Sequence, residues 1–506
     1  MTDLSVLFQN VSFTYERAAQ PLIHDLSVHF PQGWTGIVGA NGVGKSTILK
    51  LATGNLEPQV GRVIIPEYAI YCQQRTDDAP DRLYDLIHAH DGIAFRMKGR
   101  LGIEDEWIDR WKTLSHGERK RAQIAAAIWR NPHVLAVDEP TNHLDAEAQD
   151  MLFEALLTFR GIGMLVSHDR RFLDELCHQC LFVEPPDAVL RPGNYSRGLQ
   201  QAEQDEITIQ RQYNQAKHDF SRLKREEAKR RGAASQADRK RSKRGLAPKD
   251  HDAREKIDAA RVTAKDGVAG KRLNQLQGRL SQAHTKMDGF RVKKRYQMGI
   301  WMPGEKSKRN TLFTVHAGSL PLGTDRWLDF PNVAMKPDDR IALTGLNGCG
   351  KSTLIEHIMQ SLHLEENQVV YIPQEIDIHA SQDILSRAKN LPNEKLGHMM
   401  TIVSRLGSRP HRLLESTDPS PGEIRKILLA IGIANEPHLI VMDEPTNHLD
   451  LPSIECLESA LADCPCGLLL VSHDRRFLDA LTQTRWHISV DSGTMGKYVL
   501  EVLHSA

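Results

Sequence analysis

Long hydrophobic runs are missing from this sequence of 506 residues. Its most apolar stretches, such as GLLLVS, are the size of a strand and fall well short of the ~18 residues that a membrane span needs. Cysteine is scarce as well. The seven residues (Cys72, Cys177, Cys180, Cys349, Cys456, Cys464, Cys466) form no ladder of pairs, and the single CxxC at Cys177 and Cys180 lacks the second pair of a zinc site. Free thiols of the cytoplasm are expected. The opening MTDLSVLFQN shows neither a basic-then-apolar leader nor a lipidation motif, so neither is expected. Net charge is absent too, with 65 Lys+Arg against 65 Asp+Glu. That balance conceals a division. Residues 201–300 carry 26 Lys+Arg and 13 Asp+Glu, leaving 39 basic and 52 acidic residues elsewhere. A basic appendage on acidic globular bodies points to a polyanionic partner for the appendage.

What the sequence does contain, it contains twice. DEPTNHLD occupies residues 138–145 and again 443–450, GANGVGKST at 39–47 is matched by GLNGCGKST at 345–353, and VSHDRRFLD recurs at 166–174 and 471–479. The copies are displaced by 305 or 306 residues in one order, as two whole domains would be. The expected division is a first domain at 1–199, a basic, mostly helical linker at 200–300, and a second domain at 301–506. Each domain reads as α/β. Short apolar strands (WTGIVG, RIALTG) run into a glycine-rich turn and then a helix (KSTILKLA, KSTLIEHIM). Buried strands (HVLAVDEP, HLIVMDEP) end in carboxylates, where open α/β sheets bind ligands.

G-x-x-x-x-G-K-S between a strand and a helix is a phosphate cradle. Gly39, Asn41, Gly42 and Gly44, and likewise Gly345, Asn347, Gly348 and Gly350, let backbone N–H groups crowd around phosphate oxygens at a helix N-terminus. Lys45 and Lys351 would neutralise the β- and γ-phosphates, with Thr47 and Thr353 beside them. The hydroxyls of Ser46 and Ser352 would help to hold Mg²⁺. A glycine turn with a surface lysine is the bland alternative, and two copies with matched downstream motifs argue against it. Asp138 and Asp443 end apolar strands, where a carboxylate is costly unless it serves a cation. They read as Mg²⁺ carboxylates, and Glu139 and Glu444 as the groups that polarise the attacking water. Gln74 and Gln374, aligned through Tyr71 and Tyr371, would sense the γ-phosphate or the metal, against the plain reading of a loop glutamine. His168 and His473 would contact the γ-phosphate.

These residue sets resemble ATP-binding cassette ATPases, and the resemblance covers both domains. LSHGE at 114–118 is similar to the signature LSGGE of that family, and PSPGE at 419–423 is its counterpart. The resemblance implies head-to-tail pairing within one monomeric chain, in which each signature closes on the other domain's nucleotide. The Lys45 site would then be completed by Ser420 and Gly422, and the Lys351 site by Ser115 and Gly117. Two departures imply asymmetry. Pro419 and Pro421 stand where Leu and Gly are usual. Tyr15 offers an aromatic for adenine in the first domain, whereas HAGSLPLG in the second offers none, which leaves apolar contact to hold the base there.

Between the domains, residues 200–288 read as two polar helices with a thin apolar seam, Ile207, Tyr213, Phe220 and Leu223 on one and Leu273, Leu276 and Leu280 on the other. A tip with glycine, proline and dense basic charge lies between them. A solvated charged hairpin is the plain alternative. Tandem cassettes, a basic linker and GNYS at 193–196 resemble the F subfamily of ATP-binding cassette proteins. That resemblance implies a cytoplasmic ATPase that binds ribosomal RNA and tRNA near the tRNA exit site. Through its linker it would act on the peptidyl-transferase region, either in translation or in antibiotic resistance. Rival readings are the ATPase subunit of a membrane transporter, for which so long a basic linker has no use, and a DNA-maintenance ATPase, whose zinc-type cysteine pairs or long inserted coiled coil are not present.

Overall fold

The computed structural model describes residues 4–16, 20–142, 144–240, 266–290, 306–323, 325–408, 420–447, 449–491 and 496–504. Contacts divide the chain into two compact units, Met1–Gly198 with Tyr296–Ala506, and Leu199–Arg295.

In the first half of the larger unit, β1 (Val6–Phe13), β2 (Ile23–Phe30) and β4 (Val60–Ile64) form an antiparallel sheet in the order β2-β1-β4. A second sheet runs β5-β6-β7-β3-β8-β9, from β3 (Gly33–Val38), β5 (Ala69–Cys72), β6 (Val134–Asp138), β7 (Ile162–Val166), β8 (Cys177–Glu184) and β9 (Asp187–Pro192). Its inner strands are parallel, and β6 and β7 are buried at every position, as their unbroken apolar runs require. Around them lie α1 (Lys45–Ala52), α2 (Leu83–His88), α3 (Gly92–Leu101), α4 (His116–Trp129), α5 (Ala146–Leu156) and α6 (Arg170–Glu175). The core is continuous from Phe8 and Phe30 through Ile48 and Leu49 to Met164.

Among the described residues the smaller unit holds α7 (Tyr195–Lys240), whose first turn belongs to the larger unit, and α8 (Asp266–Asp288). Phe220 meets His284 edge-on at 5.2 Å, and Ala216, Leu223 and Leu276 are buried, whereas Ile207 is exposed. The seam is as thin as the sequence suggests. Of the basic tip read from the sequence (residues 232–252), residues 232–240 continue α7, and residues 241–252 lie outside the described residues, as does Pro419.

The second half repeats the parallel sheet of the first and differs in its antiparallel strands. Its main sheet has eight strands in the order β11-β12-β19-β18-β14-β17-β16-β15. They are β11 (Gly318–Pro321), β12 (Trp327–Phe330), β14 (Arg340–Gly345), β15 (Val369–Ile372), β16 (Leu439–Asp443), β17 (Gly467–Val471), β18 (Thr484–Val490) and β19 (Lys497–His504). The remaining pair is β10 (Phe313–Val315) with β13 (Val333–Met335). Here the β11–β12 hairpin joins the main sheet through β12 and β19 rather than forming a separate layer. Among the described residues the helices are α9 (Lys351–Gln360), α10 (Ile378–Lys389), α11 (Asn393–Arg405), α12 (Pro421–Ile433), α13 (Leu451–Ala462) and α14 (Arg475–Leu481). After α13, Cys464 and Cys466 are joined by a disulfide, which corrects the expectation of free thiols throughout. The other five cysteines are free and buried. Among the described residues no helix is long and apolar enough to cross a membrane.

Candidate functional site

The glycine turns after β3 and β14 are the same object built twice. Gly39, Gly42 and Gly44 have φ of 153°, 78° and 104°, and Gly345, Gly348 and Gly350 have 152°, 74° and 100°. At Gly42 the positive φ faces open space, since a Cβ there would meet nothing within 4 Å. The backbone is thus held in a left-handed form beneath room for a ligand. Both lysines are buried and folded back on their loops. Lys45 Nζ donates to Gly39 O (2.8 Å) and Ala40 O (3.1 Å), and Lys351 Nζ to Gly345 O and Leu346 O (2.9 Å each). Burial lowers the pKa of Lys45 despite Glu139 and Asp450 nearby, so an anion that displaced the carbonyls would meet a poorly solvated charge.

Asp138 and Asp443, the last residues of β6 and β16, hydrogen-bond the serines that follow the lysines. Ser352 Oγ donates to Asp443 Oδ2 at 2.6 Å, and Ser46 bonds Asp138. Tyr71 also donates to Asp138, at 2.8 Å. Burial raises both aspartate pKa values. Asp138 Oδ1 is buried without a hydrogen-bond partner among the described residues, the mark of an oxygen fitted to a cation. Each following glutamate has a positive φ, 44° at Glu139 and 50° at Glu444, and each N–H donates to the neighbouring strand (Val166 O, Val471 O, both 2.8 Å). A left-handed glutamate recurring at the same place in both halves is strain kept for position.

The two histidines behave differently. His168 Nε2 lies 3.0 Å from Glu139 Oε1, and although burial pushes the Glu139 carboxyl up, the imidazole outweighs it and holds the pKa below the usual value. His473 Nε2 lies 3.4 Å from Glu444 and 3.2 Å from Asn347 Oδ1. Burial, with Lys351 beside it, lowers His473 to about 4, while burial raises Glu444 to about 8. In the second pair burial thus favours the uncharged form of both groups.

Signature residues sit at helix starts. Ser115 and Ser420 are N-caps of α4 and α12, each in a capping box with Glu118 or Glu423. Pro421 occupies the first turn of α12, where proline is tolerated, so Ser420 and Glu423 build the same cap as Ser115 and Glu118. Ser115, Gly117 and Asp145 line one cavity with Asn347 of the other half. Asn347 also lines the adjoining cavity, of about 470 Å³, with Gly348, Gly350, Lys351, Ser352, Thr353, Gln374, Glu444 and His473. Asp145 Oδ2 accepts from Asn347 N at 3.3 Å; in the mirror position Asp450 Oδ2 accepts from Asn41 N at 2.8 Å. Tyr15 is partly exposed, with its hydroxyl 3.1 Å from Thr47 Oγ1. Gln74 is exposed, and its carbonyl accepts from Lys120. Of the signature pairs, the structure brings Ser115 and Gly117 to the opposite loop; for Ser420 and Gly422 the corresponding tie is Asp450 to Asn41.

Several residues here escaped the sequence reading. Asp145 and Asp450 close the repeated DEPTNHLD and could have been found from that repetition. Lys120, fully buried, donates to Gln73 O and Gln74 O, and Arg425 donates to Glu444 O and Asn447 O, tying each signature helix to its own half's site. Across the halves, Arg170 Nη2 lies 2.7 Å from Glu458 Oε2, Tyr195 donates to Glu455 at 2.6 Å, and Arg475 and Arg476 reach Asp150 and Asp174 at 3.4 Å.

A family model described as ABC transporter matches residues 23–142 and 328–447, one match per half. The fold, the two phosphate loops and these matches define a tandem ATP-binding cassette ATPase. Among curated proteins, ribosome protection protein VmlR of Bacillus subtilis is 28% identical over 96% of this chain and 86% of its own length. The ATP-binding protein Uup of Escherichia coli is 26% identical over 95% and 79%. ABC transporter F family member 2 of Arabidopsis thaliana is 26% identical over 94% and 75%. Over most of its length the chain is thus similar to ATP-binding cassette proteins of the F subfamily. Of solved structures, archaeal ribosome recycling factor aABCE1, in complex with ribosomal stalk protein aP1, aligns with a TM-score of 0.62 at 18% identity, covering 98% of this chain and 90% of that one. This last likeness is one of fold.

Proposed function

We propose that the chain is a cytoplasmic ATPase whose closed, ATP-bound form docks on the ribosome near the tRNA exit site, and that the segment at 200–300 contacts rRNA and tRNA to adjust translation or protect against antibiotics. The observation that carries the reading is the joining of a clasped cassette pair to a segment with 26 Lys+Arg and 13 Asp+Glu. A relative named as a ribosome protection protein, matched over 96% of this chain, supports the same partner.

Each site would work as follows. Phosphates enter the cradle and take Lys45 or Lys351 from its carbonyls. Asp138 with Ser46, and Asp443 with Ser352, would hold Mg²⁺, with Gln74 and Gln374 at its edge; the ion supplies charge neutralisation at the transferring phosphoryl group. Glu139 and Glu444 would polarise the attacking water, Glu444 once it has lost the proton that burial keeps on it, His168 and His473 would contact the γ-phosphate, and the opposite signature would seal the site. Hydrolysis loosens the clasp and releases the particle.

Co-sedimentation tests this reading. A Glu139→Gln, Glu444→Gln variant with ATP should pellet with ribosomes and be shed as salt rises, because Lys/Arg–phosphate contacts displace counterions. Absence from the pellet at moderate salt would contradict the proposal.

A further inference from the structure

The second cassette lacks an aromatic for the base, and the structure places a different side chain there. Cassette 1 covers its loop with Tyr15, which packs edge-on against Phe13 at 5.0 Å and reaches Thr47. In cassette 2 the corresponding cover is the β11–β12 hairpin, whose turn is closed by Leu322 N donating to Arg326 O at 2.8 Å. The hairpin is braced from behind. Trp327 N donates to Gly496 O at 3.0 Å, and a Cβ on Gly496 would lie 3.6 Å from Arg326 Cγ. So backed, Arg326 lines the cavity of about 470 Å³, within the roughly 300–1,000 Å³ of small-molecule sites. Its Nη1 is the nearest atom that a Cβ on Gly348 would meet, at 3.8 Å, so the guanidinium hangs over the phosphate loop itself. The neighbouring Trp327 is exposed and is not part of that lining.

We propose that Arg326 is the nucleotide-gripping residue of the second site, holding a triphosphate by charge where cassette 1 grips its nucleotide through an aromatic ring. The proposal rests on the ATP-site reading above. A guanidinium offers forked donors to phosphate oxygens and a flat face that any base can cover. Its hold on the phosphates is indifferent to base identity. Leu322 and Pro321, which also line the cavity, supply apolar contact without hydrogen-bond discrimination. The Lys351 site therefore selects for a nucleoside triphosphate and only weakly for its base, while at the Lys45 site an aromatic ring adds to the hold on the base.

The test uses the full chain with the first site silenced by Lys45→Ala, fluorescent N-methylanthraniloyl-ATP and -GTP as probes, and tripolyphosphate as competitor. The expected result is ATP and GTP binding within about threefold of each other, displaced by tripolyphosphate. Arg326→Ala should weaken all three about tenfold, the scale of one charged hydrogen bond, and Arg326→Lys should recover tripolyphosphate competition. Unchanged binding in Arg326→Ala would overturn the proposal, as would a preference for ATP over GTP above about twentyfold with Arg326 intact. If neither Lys45→Ala nor Lys351→Ala bound any nucleotide with Arg326 intact, the ATP-site reading would fail and this proposal with it.

Discussion

Glu139 and Glu444 are the same residue in the same strained backbone, yet their carboxyls titrate in opposite directions. The difference lies in the partner: His168 sits at 3.0 Å from the one, whereas His473 is 3.4 Å from the other and shares its ring nitrogen with Asn347. A carboxyl raised to about 8 in the folded chain keeps a proton that the unfolded chain releases near 4.5. Between those values the folded state binds more protons, so its stability falls as pH rises. Below about 6.5 His473, which burial lowers to about 4, opposes this slope, so nucleotide-free protein should lose melting temperature between pH 6.5 and 8. Glu444→Gln should flatten that slope and raise the melting temperature at pH 8, and Glu139→Gln should not. Equal slopes in the two variants would refute the assignment. At this scale the sequence was informative wherever chemistry dictates residue type: lysine, aspartate and glutamate at fixed steps from glycine turns. It was silent on Arg326 and on the Cys464–Cys466 bond, because neither belongs to a repeated phrase.

The signature helices α4 and α12 show what an element adds. Each begins with a serine cap and a glutamate that answers it, and each is tied to its own half's site, by Lys120 in one and Arg425 in the other. Burial lowers Lys120 to about 8, a cost met by three acceptors, Gln73 O, Gln74 O and Gln123 Oε1. Ser115→Ala removes the cap and should cost about 1 kcal/mol of stability by denaturant titration. Ser115→Arg would in addition fill the cavity beside Asn347 and should abolish turnover at the Lys351 site. If both substitutions reduced turnover alike, the serine would be a cap and nothing more. The strands were readable from the sequence because buried parallel strands are unbroken apolar runs. Rearrangement of the β10–β13 region was not, since it depends on which edge strand the hairpin meets.

At the scale of the whole molecule, the halves meet through contacts between residues hundreds of positions apart: Asn41 with Asp450, Asn347 with Asp145, Arg170 with Glu458, Tyr195 with Glu455. The resemblance to ATP-binding cassette ATPases implied the pairing, but only the fold shows which side chains fasten it, since Glu455 and Glu458 are ordinary helix residues until Tyr195 and Arg170 face them. The central claim is that each nucleotide site takes its phosphate loop from one half and its seal from the other. Combining substitutions tests this most directly. Lys45→Ala with Ser420→Arg places both lesions in one composite site, whereas Lys45→Ala with Ser115→Arg places one lesion in each. Measured as ATP retained per chain after rapid gel filtration, the first pair should match Lys45→Ala alone and the second should lose at least tenfold. The reverse order, with the Ser115→Arg pair retaining ATP and the Ser420→Arg pair losing it, would mean that each half seals its own site, and would contradict the account.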